Sequence, residues 1–202
     1  MTEVEVLELL VSPAHRLAGR PSDGPSPGPS DERVPRVEVR RDLGLVGDRY
    51  YARPAHRNAS VTMMASEGLP PGADLRHTRR NVLLRGVDID AYVGATIALD
   101  CGTGPVVFAV NRPARPCAWM DVTIGPGAHR ALRGRGGVRC TPLSDGVLTV
   151  GPATFRVVAG AGSVSLRRLR QPEDGVVRMA AMSSCRRTFS LTIAPPSASL
   201  LL

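Results

Sequence analysis

Apolar runs in this chain are short, and glycine or proline closes nearly every one of them. Gly 21 and Pro 18 together form about 19% of the 202 residues, against about 12% in an ordinary protein. Such punctuation argues against a bundle of long helices and for many turns between short strands. Alternation then locates the strands. Val4, Val6, Leu9 and Val11 mark a first strand with a slip at Leu7, and Val34, Val37 and Val39 mark a second. Ala59–Met64 and Asn81–Leu84 are apolar runs of buried-strand character. Thr96–Asp100 and Pro105–Val110 predict a hairpin closed at Gly102–Gly104, and Val138–Thr141, Val147–Val150 and Thr154–Val158 predict three closing strands, the first pair turning at Asp145–Gly146. About eight short strands with few short helices predict a mostly-β barrel, with one or two helical turns at Ala128–Leu132.

Two segments depart from this pattern. Pro21–Ser30 reads PSDGPSPGPS, and residues 20–33 are expected to form an irregular, mobile loop. Beyond residue 160 periodicity is lost, so the sequence predicts a domain over 1–160 and a basic tail of low order over 161–202.

With 3% aromatic residues, aliphatic side chains must fill the core. All 26 basic residues are arginine. The absence of lysine excludes a lysine Schiff base to pyridoxal phosphate or to a carbonyl substrate, and also a phosphate loop of the Walker type. The net charge is +8, but half of that surplus lies after residue 160, so a nucleic-acid partner ranks last among the readings. Cys101, Cys117, Cys140 and Cys185 form no CxxC pair, which argues against structural zinc. Glu3, Glu5 and Glu8 do not suit a signal peptide, and no apolar run is long enough to span a bilayer. A cytoplasmic protein with reduced thiols and no membrane partner is expected.

Chemistry concentrates at Asn111–Asp121, NRPARPCAWMD. Arg115 and Arg112 precede Cys117, and cationic neighbours favour the thiolate, which is both nucleophile and soft metal ligand. Pro113 and Pro116 are expected to hold the stretch extended. These residues alone leave a second reading open, an inert buried cysteine beside a packing Trp119. Asp121 stands where it might orient the site, Asp48 where it might orient Arg49, and turn chemistry accounts for Asp88 and Asp90.

Seven segments in order resemble the MOSC domain, the family named for the C-terminal part of molybdenum cofactor sulfurases, in its stand-alone bacterial form. They are GLVGDR (Gly44–Arg49), RRNVLLRGVDI (Arg79–Ile89), Gly94, RPC (Arg115–Cys117), GPG (Gly125–Gly127), GRGG (Gly134–Gly137) and GVLTVG (Gly146–Gly151). The resemblance implies a MOSC-type β-barrel and the molybdenum cofactor, a pterin dithiolene bearing a phosphate. Cys117 is then the metal ligand and catalytic residue. Arg80, Asn81, Arg49, Arg115 and Asp121 are the cofactor-binding candidates. Related bacterial proteins and the mitochondrial amidoxime reducing component reduce N-hydroxylated compounds, so a small N-hydroxylated substrate is implied. The chain offers no cysteine cluster for iron–sulfur and no dinucleotide fingerprint, so external electron-donor proteins would be needed. The alternative is a sulfur carrier in which Cys117 takes a persulfide from a sulfur donor. Gly151–Pro152 departs from the family pattern, which often has an acid after this glycine.

Overall fold

The computed structural model describes residues 1–158. The expectations for 161–202, and Cys185 with them, lie outside the described residues.

The expected mostly-β barrel is present. Its strands are β1 (Thr2–Leu9), β4 (Val61–Ala65), β5 (Val82–Arg85), β6 (Thr96–Asp100), β7 (Pro105–Pro113), β8 (Val138–Pro142) and β10 (Gly151–Val157). They close in the order β1-β10-β6-β7-β8-β4-β5. The slip at Leu7 is a register shift between Val6 and Glu8. It lets Val4, Val6 and Leu9 enter the barrel core while Leu7 and Leu10 pack in a second apolar cluster.

One expectation about the strands is corrected. Asp145–Gly146 does not turn one barrel strand into the next. β9 (Gly146–Thr149) leaves β8 and joins β2 (Arg36–Arg40) and β3 (Gly44–Leu45) in a separate three-stranded sheet. The physical reason lies in burial: Val37, Val39, Leu45 and Leu148 bring one apolar face of this small sheet into the same core as the barrel interior. Asp145 instead accepts a hydrogen bond from the Arg41 backbone at 2.6 Å. The chain returns to the barrel through Val150, with Gly151 at φ +127.

Among the described barrel pairs, β4 and β5 alone are parallel, with Met63 opposite Val82 and Ala65 opposite Leu84. A parallel pair needs a crossover. Here Ser66–Asn81 supplies it, carrying a 3-10 turn at Ser66–Gly68 and the short helix α1 (Leu75–Thr78). Asp74 caps α1 through the backbone N–H groups of Arg76 and His77. β4 is buried on both faces. Val61, Met63 and Ala65 line the barrel core, while Met64 packs outside it with Leu10, Leu75, Leu83, Trp119, Met120, Ala128 and Leu132. That outer cluster seats α1, α2 (Trp119–Thr123) and α3 (Ala128–Ala131) on the barrel wall. No helix among the described residues is long and apolar enough to cross a membrane.

The region 20–33 is not wholly irregular. It holds a 3-10 turn at Pro21–Asp23, Arg16 donates to Ser26 O at 3.0 Å, and Glu32 is buried at its end.

Gly137 sits where β4 and the turn before β8 cross. Its φ is +85, and an added Cβ would collide with the carbonyl oxygen of Met63, a backbone atom that cannot swing aside. Gly151 also has positive φ, but nothing lies near the position of its missing Cβ. Gly137→Ala should therefore cost at least about 3 kcal/mol, from strain and backbone displacement together. Gly151→Ala should cost only about 1–3 kcal/mol, from strain alone. Urea unfolding of both variants checks the order; equal losses would contradict it.

Candidate functional site

Arg79, Arg80 and Asn81 are consecutive, yet each enters a different environment. Arg79 ends α1 in the left-handed conformation at φ +58, which turns its side chain back under the preceding loop. There it forms a buried, two-pronged pair with Glu32, Nη1 to Oε2 at 2.6 Å and Nη2 to Oε1 at 3.0 Å. The Ser12 hydroxyl donates to the same carboxylate. Burial pushes the Glu32 carboxyl up, but the hydrogen bonds from Arg79 and Ser12 and the charge of Arg79 outweigh it, and the net shift is downward.

Asn81 is buried and saturated. Its Oδ1 accepts from Thr62 N at 3.0 Å and Thr62 Oγ1 at 2.8 Å, and its Nδ2 donates to Leu10 O and to Asp48 Oδ2, both at 3.1 Å. It pins β5 to β4 and orients Asp48. The Asp48 carboxylate also accepts from Ser12 N at 3.3 Å and Tyr50 N at 3.1 Å, and stands 3.6 Å from Arg49 Nη1. Arg49 lies over the Tyr50 ring, 4.5 Å from its centroid. Its Nε and Nη1 are buried with no hydrogen-bond partner. A charge-bearing donor left in that state carries a full desolvation cost.

Arg80 donates from Nε to Gly136 O at 2.9 Å, from Nη1 to Thr78 O at 2.9 Å and from Nη2 to Ala114 O at 2.7 Å. A guanidinium has five N–H donors, so two remain. No carboxylate among the described residues pairs with it. Burial, with the charge of Arg139 beside it, lowers this guanidinium to about 10, while Cys117 and Asp90 oppose the shift. Arg80 thus keeps its charge in a rigid cage of carbonyl dipoles, with Arg49 also close enough to act on it.

Cys117 is exposed on the turn between β7 and α2. Strand β7 takes in Asn111–Pro113, and residues 114–117 lie in no regular element. Past Pro116 the proline constraint ends, and Trp119 and Met120 bury themselves in the outer cluster as the first residues of α2. The expected packing role of Trp119 is therefore seen, but its partner cysteine faces solvent. Cys140, in contrast, lies in the barrel core, and burial pushes its thiol up to about 12. Burial also raises the half-buried Cys101 thiol.

The structure brings Arg80, Arg49 and Cys117 into one region. Arg115 is exposed on the Cys117 turn and pairs with no acid among the described residues. Asp121 lies one turn further on, where its Oδ1 accepts from His129 N at 2.8 Å and joins α2 to α3. The region has two further members, Arg139, which the sequence does not single out, and Asp90, which the sequence assigns to turn chemistry. Asp90 Oδ1 accepts from Gly137 N at 3.0 Å, and its Oδ2 is buried without a partner. Burial and the neighbouring Asp88 raise its pKa, against that hydrogen bond. Alternation in Val138–Arg139–Cys140 does place Arg139 on the outer face of the barrel, and was the available signal. A cleft of about 400 Å³ beside Asp90, lined also by Glu67, Asp88 and Arg135, does not reach Cys117.

No protein-family model matches the chain, and no curated protein matches it by sequence. Solved structures do resemble it. YuaD from Bacillus subtilis superposes with a TM-score of 0.57 at 12% identity, over 76% of this chain and 94% of that one. YiiM from Geobacillus stearothermophilus gives 0.50 at 17% identity, over 77% and 75%. Both are MOSC-domain proteins, and this chain has a MOSC-like fold. At these identities the likeness concerns the fold alone.

Two outcomes follow from the geometry. Under native conditions a maleimide should modify Cys117 at least roughly tenfold faster than Cys140 or Cys101, read by peptide mapping; faster loss of Cys140 would contradict the placement. Glu32→Gln leaves Arg79 buried without its counter-charge and should cost about 3–5 kcal/mol. Since the folded carboxyl lies below its ordinary 4.5, the wild-type contribution is complete above that value and is lost as pH falls through the lower folded value. Glu32→Gln should flatten that acid limb in a stability-against-pH series, and an unchanged slope would contradict the assignment.

Proposed function

We propose that this protein binds the molybdenum cofactor and reduces N-hydroxylated compounds, with electrons from separate donor proteins. The observation that carries this reading is Arg49. Two of its donor nitrogens are buried without a hydrogen bond, Nη1 having only the Asp48 carboxylate at 3.6 Å, and a second guanidinium close by, Arg80, forms no ion pair among the described residues. A phosphate on the cofactor would satisfy both, since guanidinium groups bind phosphate oxygens in a two-pronged fashion. The exposed Cys117 thiol, as thiolate, fits a soft ligand for the metal.

In this reading Arg49, Arg80 and Arg115 meet the cofactor directly. Asn81 acts through Asp48, which fixes the position of Arg49. Asp121 acts through the α2–α3 corner. Arg80 has a second task, because its bond to Ala114 O holds the base of the Cys117 turn. When bound, the cofactor would supply oxygen removal from an N–OH group, leaving the amine. Both this activity and its alternative need a reduced thiol, and so a reducing compartment such as the cytoplasm.

The exposure of Cys117 favours one alternative. As a sulfur carrier, its thiolate would attack the outer sulfur of a donor persulfide. The donor S–S bond breaks, the donor thiolate leaves, and Cys117 holds the persulfide.

Metal and pterin content separate the readings. Protein made in a cofactor-producing host should carry both near stoichiometry. Cys117→Ser should lose the metal, and Arg49→Met should lose pterin by at least about tenfold. Wild type without metal or pterin overturns the cofactor reading. A mass gain of one sulfur atom at Cys117 after incubation with a cysteine desulfurase would then support the carrier.

A further inference from the structure

β7 contains an irregularity with a consequence for charge. Val110 pairs with Cys140, and the next pair on β8 is Arg112 with Arg139, so Asn111 is an extra residue. Without that bulge Asn111 would oppose Arg139, and Arg112 would fall opposite Val138. Bulges re-aim side chains, and they recur beside functional sites. This one turns Arg112 onto the face of Arg139. Like charges directly opposite on neighbouring strands are destabilising. Neither arginine pairs with an acid among the described residues. On its other side Arg139 faces Thr62, whose hydroxyl is committed to Asn81. A third guanidinium, Arg80, stands close to Arg139 with two N–H donors unused.

The surrounding sequence sharpens the contrast. Arginines of the first 85 residues are widely ion-paired, as in Arg33–Glu8, Arg57–Asp42, Arg76–Asp74 and Arg79–Glu32. Between Arg112 and Arg139 the only acid is Asp121, and it is engaged with His129 N.

We propose that Arg112, Arg139 and Arg80 form a seat for a phosphate dianion on the outer wall of the barrel, beside the Cys117 turn. Three guanidinium groups with no ion pair among the described residues, and with only the nearby charge of Asp90 acting on Arg80, call for a compact anion of more than one charge, and the planar fork matches phosphate oxygens. The bulge aims one arginine, the strand register fixes the second, and three carbonyls hold the third. A nucleic-acid strand fits less well, because strand binding needs aromatic stacking platforms and the Cys117 turn offers none; its one ring, Trp119, is buried. The phosphate can come from two sources, the cofactor named above or a separate phosphorylated compound.

The test uses the full chain and inorganic phosphate, with chloride at matched ionic strength as control, followed by thermal unfolding and calorimetric titration. Phosphate should raise the unfolding temperature of the wild type by mass action. Arg139→Gln should weaken phosphate binding at least about tenfold, and Arg112→Gln should weaken it by a smaller factor. Without phosphate, both variants should unfold at the wild-type temperature or above it, because a repulsion has been removed. Cys117→Ser should leave phosphate binding unchanged. A wild-type response no greater than that to chloride overturns the seat, and so does unchanged phosphate affinity in Arg139→Gln. Binding only of oligonucleotides, with steep salt dependence, overturns it as well. Protein isolated with pterin bound identifies the source. If it no longer takes phosphate, the cofactor's own phosphate fills the seat; if it still does, the seat serves a separate phosphorylated compound. A phosphate response in protein that never acquires pterin leaves the seat standing and removes the cofactor reading.

Discussion

Three chain segments meet on the guanidinium of Arg80: the end of α1 at Thr78, the base of the Cys117 turn at Ala114, and the glycine turn at Gly136. Each contributes a carbonyl that would otherwise lack a partner at an irregular stretch of backbone. Their positions depend on one another. Ala114 N donates to Gly137 O at 2.7 Å, Gly137 N donates to Asp90, and the absence of a side chain at Gly137 lets that backbone lie against Met63. A cation caged by dipoles rather than by a carboxylate stays fixed in place and keeps its charge available to a ligand. That combination separates Arg80 from Arg79, whose charge Glu32 neutralises.

The sheet architecture was largely legible because burial writes itself as alternation. Val4, Val6 and Leu9 gave the first strand together with its bulge, and Thr96–Asp100 and Pro105–Val110 gave a hairpin that forms as expected. The side sheet was not legible. Val147–Val150 has the alternation of a barrel strand, and nothing local says which sheet edge it will join. The first turn of α2 is hidden from the sequence for a related reason. Two prolines argued for extended backbone, but tertiary burial of Trp119 and Met120 decided the conformation after their influence ended.

The site divides along the same line. Cys117 and Arg80 stand in short motifs and can be named as candidates from the sequence. Arg139, Asp90 and the Glu32–Arg79 pair depend on contacts between residues far apart in the chain. Glu32 lies 47 residues from Arg79, at the end of a proline-rich stretch whose composition predicts irregularity and not burial. Arg112 is visible in the sequence as a neighbour of Cys117, but its meeting with Arg139 depends on one extra residue in β7. Side chains whose roles come from local sequence were readable; those defined by register were not.

The barrel closes by pairing Thr2 with Phe155 and Val6 with Gly151. Nearly the whole described chain separates these partners, so closure carries the loop entropy of a very non-local contact. During vectorial synthesis β1 leaves the ribosome long before β10 exists. Until then one edge of β1 has no strand beside it and remains open to pairing with other chains. Growth temperature, expression rate and chaperone supply should therefore govern the yield of folded protein more strongly than the stability of the finished barrel does.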